Sequence, residues 1–412
     1  MEAPKLNVKK TLLLSTGFFA SSLAWSLYNS YVPKILESFV ASTTLIGFVM
    51  TLDNIFGVIF QPLFGRWSDK THTRVGKRMP YIIVGIPICA VTFAMIPRMT
   101  TLWSLMVILI LFTFVMSAWR SPVVSLMPDI TPGPFRSQAN GIVNLMGGVG
   151  SLLAFAGGGL LFKFGGYPLP FLTAAILMLV ALAVLVLFVR EPQQAYEPDE
   201  QATKSSVKLT SAEKKSLLLI LFGVFFWFAG YNAVETFFTL YATNTMAMDT
   251  GSATMMLSIF SLTFMAFAVP AGFIGAKIGR RKTILIGLAG IIVLFLPLIF
   301  VAQFWVTAVC LFGGGFFWAC VNINSLPMVV RLSGEDKVGT FIGYYYFFSF
   351  AAQIASPILF GALRDLTGNY QLLFLYSCVA FACAVVCLIF VRHGEEDSVQ
   401  TSTTDILDGL GD

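Results

Sequence analysis

Long apolar runs alternate with short polar connectors along most of this 412-residue chain. The runs are continuously apolar for about 20 residues, without the alternation that strands of a membrane barrel show. At 1.5 Å per residue, a helix of that length crosses the roughly 30 Å hydrocarbon core of a bilayer. The pattern predicts an all-α membrane protein with twelve membrane-spanning helices, spans one to twelve: 11–33, 43–67, 81–97, 102–127, 138–163, 168–189, 216–243, 252–276, 283–302, 304–330, 339–363 and 370–391.

Composition agrees with this pattern, because 57% of the residues are hydrophobic and only 11% are charged. The first run lacks a signal-peptide cleavage site and is predicted to be retained. With the N-terminus inside, 21 of the 26 lysines and arginines fall in cytoplasmic segments and four in outer loops. This asymmetry predicts a multi-pass plasma (inner) membrane protein with both termini cytoplasmic. The net charge of +5 then reflects topology, and it gives no reason to expect a nucleic-acid partner.

The chain divides into two halves around one polar segment. Residues 191–215 are rich in charge, Gln, Ser and Pro, and are expected to form a flexible cytoplasmic linker between six-helix bundles at 1–190 and 216–393. Residues 394–412 are expected to form a cytoplasmic tail. "WSLYN" in span one and "WFAGYN" in span seven lie 202 to 203 residues apart, and two further matches keep an offset near 200. Such duplicated units are typical of transporters whose site lies between the halves.

Charge is concentrated after span two, in "GRWSDKTHTRVGKR" from Gly65 to Arg78. Asp69 lies at the predicted helix end near several cations, while Gly65 allows close helix approach and Gly76 a tight turn. Part of the string recurs after span eight, with alanine in place of the acid. We interpret these connectors as a conformational clamp; the alternative is that they only obey the positive-inside rule. The clamp residues are Gly65, Asp69, Lys70, Gly76, Lys77, Arg78, Gly279, Arg280 and Arg281.

The first connector resembles the G-x-x-x-D-[RK]-x-G-[RK]-[RK] pattern of the major facilitator superfamily, with four residues added. Together with "QPLFG" before it and "RSPVVSLMPD" from Arg120 to Asp129, it is similar to the branch of glycoside/cation symporters and sucrose-type sugar transporters. The resemblance implies the major facilitator fold and a cation-coupled transporter that works by alternating access as a monomer. Melibiose-type sodium symporters of this branch carry an acid before the helix-two proline. This chain has Gln61 before Pro62, which favours protons.

Charged side chains deep in the spans are few. Ionisable groups in hydrocarbon are costly and point to function, and here they are Asp53, Arg120 and Glu235. A carboxyl group removed from water binds a proton more readily, so Asp53 and Glu235 are predicted proton-coupling residues. For Asp53 the alternative is a static ion pair with Arg120; for Glu235 it is a helix end that reaches water.

Aromatic and polar residues share helix faces in several spans, as a sugar site requires. Trp25, Tyr28 and Asn29 lie together in span one, Trp227 and Tyr231 align with Glu235 in span seven, and Trp318 and Asn322 do so in span ten. The resemblance implies that spans one, four, seven and ten line the cavity, so these residues and Arg120 are predicted to bind a sugar. Simple packing is the alternative for each, and it is preferred for Tyr344 to Tyr346.

Other chemistries find little support in the sequence. The six cysteines lie in predicted spans without a CxxC pair, and only two histidines occur, so neither metal nor cofactor is expected. The spans offer no clustered nucleophile and base for an enzyme, and the linker is too short for a signalling domain. Within transporters, the alternative is a drug or organic-anion exporter in which Arg120 holds an anion.

Overall fold

A computed structural model of the chain describes residues 7–132, 135–191, 210–331 and 338–391. Residues 192–209 of the predicted linker, and the whole of the predicted tail, lie outside these ranges. The described chain forms thirteen α-helices: α1 Val8–Glu37, α2 Thr43–Met50, α3 Leu52–Lys70, α4 Met79–Met95, α5 Leu102–Ile130, α6 Arg136–Gly165, α7 Pro168–Phe188, α8 Ser211–Asn244, α9 Thr250–Ile278, α10 Arg280–Phe295, α11 Phe304–Val330, α12 Val338–Thr367 and α13 Leu372–Ile389.

Each predicted span is helical, and span two is made of α2 and α3 with an interruption at Thr51. The Thr51 hydroxyl donates to the Phe48 carbonyl at 2.7 Å. Such local bonds compete with the regular helix ladder, which accounts for the break. Asp53 follows the interruption by two residues and lies in the first turn of α3.

Within the described ranges, eleven of the twelve spans are long and apolar enough to cross a membrane by length and composition. Helix α1 is the exception, although its 30 residues are long enough. It carries buried hydroxyls that are satisfied within the helix: Ser15 donates to the Thr11 carbonyl at 2.6 Å and Ser30 to the Ser26 carbonyl at 2.8 Å. These internal bonds let a polar sequence lie in an apolar bundle.

Helices α1 to α7 pack as one bundle and α8 to α13 as another. We call the end where α1 begins and α13 ends proximal, and the opposite end distal. Between the bundles, α6 contacts α9 and α2 contacts α12. A side chain on Gly47 would overlap the Pro357 carbonyl, and one on Gly361 would overlap the backbone of Thr43. These backbone-to-backbone contacts lie in the distal half, so the distal end is closed.

Asp365 on α12 closes the same seam by capping a helix of the other bundle. Its carboxylate accepts from the Thr43 and Thr44 backbone N–H groups at 2.8 and 2.9 Å, and from the Ser42 and Thr44 hydroxyls, each at 2.7 Å. A carboxylate at a helix N-terminus satisfies N–H groups that have no partner within the helix. We call this contact the distal latch. Glu37 adds a second link, accepting from Asn244 at 2.7 Å.

Candidate functional site

A cavity of about 700 Å³ lies between the bundles and extends from mid-membrane toward the proximal end. It is lined by α1, α2, α3, α5 and α6 on one side and by α8, α11 and α12 on the other. Predicted spans one, four, seven and ten all contribute; spans two, five and eleven contribute as well. The predicted site residues in its lining are Trp25, Asn29, Asp53, Arg120, Glu235 and Asn322.

The three ionisable side chains predicted from the sequence meet at this cavity. Asp53 Oδ1 accepts from the Asn54 backbone N–H at 2.7 Å and from the Asn54 amide at 2.8 Å. Glu235 Oε1 accepts from Asn29 Nδ2 at 3.4 Å, a bond that joins the two bundles. Arg120 is half-buried and makes no hydrogen bond or ion pair with any described residue. The cavity lining therefore holds one guanidinium and two carboxylates, and within the described residues Arg120 is bonded to neither carboxylate.

Carboxamides and hydroxyls contribute equally to the rest of the polar lining, with seven side chains each. The cavity-lining amides are Asn29, Asn54, Asn140, Asn144, Asn232, Asn322 and Gln353. Some are held by their own helices, since Asn232 donates to the Phe228 carbonyl at 2.7 Å and Gln353 to the Ser349 hydroxyl at 3.1 Å. Sequence reasoning singled out only two of the seven as binding residues. An amide inside an apolar span, like a charge, marks a candidate functional position. This criterion would have identified the other five amides.

Four of the five predicted sugar-binding aromatics lie outside the cavity lining, and two of the four are fully buried in the helix packing, so their predicted place needs correction. Tyr28 is fully buried and stacks on Phe112 with ring centroids 5.5 Å apart, and Trp227 is fully buried. Trp25 lines the cavity, and its counterpart in α8 is Phe228. Successive residues of a helix point about 100° apart, so an offset that is wrong by one residue moves a side chain to another face. An offset of 203 residues, and not 202, matches the cavity-facing positions of α1 to those of α8.

Tyr231 and Trp318 form a pair beside the cavity. Their rings stack with centroids 4.3 Å apart and planes 3° apart. Both line a small apolar side pocket with Phe260, and Glu235 lines this pocket as well as the cavity. The two aromatic rings and Glu235 thus border the same apolar pocket.

The tyrosine run of span eleven differs from its expected packing role. Tyr345 and Tyr346 line the cavity, and Tyr345 shares a hydrogen bond of 2.8 Å with Ser325. Tyr344 lies on the exposed surface. In a helix three consecutive residues point in three directions, so a run of identical residues carries no information about which one faces inward.

The charged connector between α3 and α4 is organised around Arg78, whose side chain is only 6% exposed. The guanidinium pairs with Asp69 and with Asp129 (Nε to Oδ2, 2.9 Å), and it donates to the Gly65 carbonyl at 3.3 Å. Its backbone N–H donates to Glu191 at 2.9 Å. Because Asp69, Asp129 and Glu191 lie at the proximal ends of three different helices or just beyond them, Arg78 holds those ends together.

The remaining residues of the connector surround this centre. Lys77 pairs with Asp129 at 3.4 Å, and Lys70 is exposed. Gly76 has a φ of +118°, and a side chain there would overlap the Glu191 carboxylate. Glycine is therefore required both by the backbone angle and by the space.

The second connector repeats the arrangement with different partners. Gly279 has a φ of +95°, and Arg281 donates to the Leu388 and Ile389 carbonyls at 2.9 and 2.8 Å. A cation at the carbonyl end of a helix is favourable. Arg280 begins α10. The clamp residues of both halves are thus brought to the proximal end, the first around carboxylates and the second around the end of α13.

The described residues contain no cluster of three or more His, Cys, Asp and Glu side chains that could hold a metal ion. The six cysteines are free and wholly or partly buried in the helices.

Comparison with known families places this architecture in a defined class. The profile of the Major Facilitator Superfamily matches residues 14–259 and 244–410. The chain belongs to the major facilitator superfamily and is a multi-pass membrane transporter.

Relatives within the superfamily differ in their named substrates. The class H tetracycline resistance protein of Pasteurella multocida is 26% identical over 90% of this chain and 94% of its own. The isoprimeverose transporter of Lactiplantibacillus pentosus is 23% identical over 66% of this chain and 60% of its own. A solved structure of a variant of the nucleoside transporter NupG superposes with a TM-score of 0.72 at 14% identity, covering 92% of this chain and 98% of the other. The sugar-transporter branch suggested by the connector is therefore not distinguished by these relatives.

Proposed function

We propose that this protein is a proton-coupled symporter of a sugar or glycoside that works by alternating access. The observation that carries the proposal is the cavity lining, in which seven carboxamides, two carboxylates and one guanidinium surround a space of about 700 Å³. Arg120, Asp53 and Glu235 supply the charges. A cavity of this size and composition suits a small polar molecule.

The amide-rich lining suits a polyhydroxylated substrate. A carboxamide both donates and accepts, as does a sugar hydroxyl, so each pair satisfies both partners. An apolar substrate would leave the amide groups that have no protein partner without water as well, which costs roughly 1–3 kcal/mol for each such group. Trp25 adds an aromatic surface for the C–H face of a sugar ring, as predicted from the sequence.

The carboxylates provide for proton coupling. Glu235 accepts from Asn29 of the opposite bundle, so a proton on Glu235 would weaken a bond that joins the bundles. Asp53 has a local partner in Asn54 and lies at the break in span two. We assign the proton to Asp53 with Glu235 as the second candidate, and substrate hydroxyls to Arg120. With the proximal end cytoplasmic in the plasma membrane, the cavity corresponds to an inward-facing state.

Export of a drug or organic anion is a second candidate function. It is favoured by Arg120, which has no anionic partner within bonding distance among the described residues, and by the tetracycline resistance proteins among the relatives. The apolar side pocket next to Glu235 would hold an aromatic group in that case. The two functions differ in the direction of coupled flux and in the substrate accepted.

Uptake into proteoliposomes with an imposed pH gradient separates the candidates. A panel of disaccharides, an organic anion and tetracycline is offered to the purified protein. We expect accumulation of a sugar when the interior is alkaline. Accumulation of the anion or tetracycline with the opposite gradient, without sugar uptake, would establish export instead.

Asp53→Asn tests the coupling residue, because asparagine mimics the protonated acid and cannot release a proton. Concentrative uptake should be lost while counterflow, which needs no net proton movement, persists. Asp249→Asn is the matched control: Asp249 is exposed and caps α9 by accepting from the Ser252 N–H at 2.9 Å, a role that asparagine also fills. Normal accumulation by Asp53→Asn would exclude Asp53 as the proton site.

A further inference from the structure

A second opening leads from the cavity sideways toward the bilayer. It is a cleft of about 410 Å³ between α3 and α5 on one side and α12 on the other. Its lining is mostly apolar and includes Gly57, Val58, Gly343 and Phe347. Val58 is 45% exposed and Phe347 67% exposed, so the cleft opens on the hydrocarbon-facing side. We call it the lateral cleft.

The cleft arises from the way in which span two and α12 diverge. In the distal half they touch backbone to backbone, at Gly47 against Pro357. In the proximal half they separate, and a side chain on Gly343 would have no neighbour within 4 Å. The wedge between them is the lateral cleft, so its shape follows from the same contacts that close the distal end.

The cleft adjoins the central cavity. Phe350 lines both spaces, and the consecutive residues Arg120 and Ser121 line the cavity and the cleft respectively. One ligand can therefore occupy the cavity with a polar part and the cleft with an apolar part. A ligand that bound only in the cavity, or a lipid chain that bound only in the cleft, would not require the two spaces to adjoin.

Two polar groups mark the boundary between the spaces. Gln61 and Ser121 line the otherwise apolar cleft, and neither side chain makes a hydrogen bond with a described residue. Polar groups at membrane depth that lack partners are unfavourable. An oxygen at the junction between a polar head and an apolar tail would satisfy both, which bilayer acyl chains alone would not do.

We propose that the lateral cleft is a subsite for an apolar aglycone, so that the transported substrate is an alkyl or aryl glycoside whose linkage oxygen meets Gln61 and Ser121. This inference rests on the proposed sugar transport and specifies its substrate class. The sugar head lies in the cavity among the amides, and the tail lies between Val58 and Phe347.

Competition of counterflow by a homologous series tests the subsite. The probes are the methyl, butyl and hexyl glycosides of the sugar that the uptake panel identifies. Each methylene moved from water into an apolar site improves binding roughly fourfold. We expect the butyl glycoside to inhibit at least about tenfold more strongly than the methyl glycoside. Partition of tails into the bilayer contributes too, but equally in all variants.

Gly343→Phe fills the cleft and should abolish the butyl-over-methyl advantage beyond that partition effect. The ratio of inhibition constants within one variant cancels any effect of the new side chain on turnover. Gly141→Phe is the control, because Gly141 also has open space around it and lines neither the cleft nor the cavity. Gln61→Leu should weaken all glycosides about fivefold relative to the unmodified protein while keeping the advantage of the longer tail.

The outcomes separate the two proposals. If no sugar undergoes counterflow, sugar transport fails and the aglycone subsite with it. If sugar counterflow is intact but the butyl-to-methyl ratio is the same in wild type and Gly343→Phe, only the subsite fails, and bilayer lipid covers the cleft. Unchanged inhibition by the glycosides in Gln61→Leu would overturn the placement of the linkage oxygen.

Discussion

Asp365→Asn should shift this transporter toward states with an open distal end, because the distal latch is a bond between the bundles. The Asp365 carboxylate accepts four hydrogen bonds from residues 42–44, at 2.7 to 2.9 Å. Three of these bonds end on Oδ2 and one on Oδ1. Asparagine retains one acceptor oxygen and replaces the other with an NH₂ group, so at least one of the four bonds is lost. The Thr43 hydroxyl keeps its separate hydrogen bond of 3.3 Å with Tyr370 of the second bundle, so the variant weakens the seam without removing it.

The magnitude follows from these bonds. Each is worth about 1 kcal/mol net, a value suited to a side chain that is 26% exposed. The loss of one therefore weakens the distal-closed state by about 1 kcal/mol, which changes the ratio of closed to open molecules about fivefold. The same change would leave folding of each bundle largely intact, since the bonds run between bundles.

Spin labels at Thr100 and Ala247 report this change. Both positions are exposed at the distal end, one in each bundle. Double electron–electron resonance should show a longer-distance population in Asp365→Asn that is minor in the unmodified protein. Asp249→Asn again serves as control, because Asp249 caps a helix of its own bundle. Equal distance distributions in all three proteins, or an equal shift in both variants, would refute the role of the latch.

Three further predictions concern the connectors and the topology. Asp69→Asn should preserve expression but slow turnover, because it removes one carboxylate of the clamp outside the cavity; unchanged uptake kinetics would leave only a topological role for the connector. Gly76→Ala should lower the thermal unfolding midpoint, since a φ of +118° and the nearby Glu191 carboxylate cost roughly 1–3 kcal/mol; an unchanged midpoint would argue against strain. In intact cells an impermeant thiol reagent should label Ala247→Cys and not His72→Cys, and the reverse pattern would invert the proposed orientation.

The helices themselves could be predicted from the sequence, because hydrocarbon leaves few choices. A segment that crosses a bilayer must satisfy its own backbone, so about 20 apolar residues form a helix whatever lies next to them. The predicted spans therefore match α1 to α13 to within a few residues at most ends. The ionisable residues at the cavity were found for the same reason, since charge in an apolar span is costly and stands out in the sequence.

The tertiary structure decided which face of each helix lines the cavity. In water an apolar stripe marks the buried side, but lipid is as apolar as the bundle core, so periodicity does not separate the two. This is why Trp227 and Tyr28 were expected at the cavity while Tyr346 was not. The distal latch was also beyond the sequence, because Asp365 and Thr43 are more than 300 residues apart and meet only when the two bundles pack together.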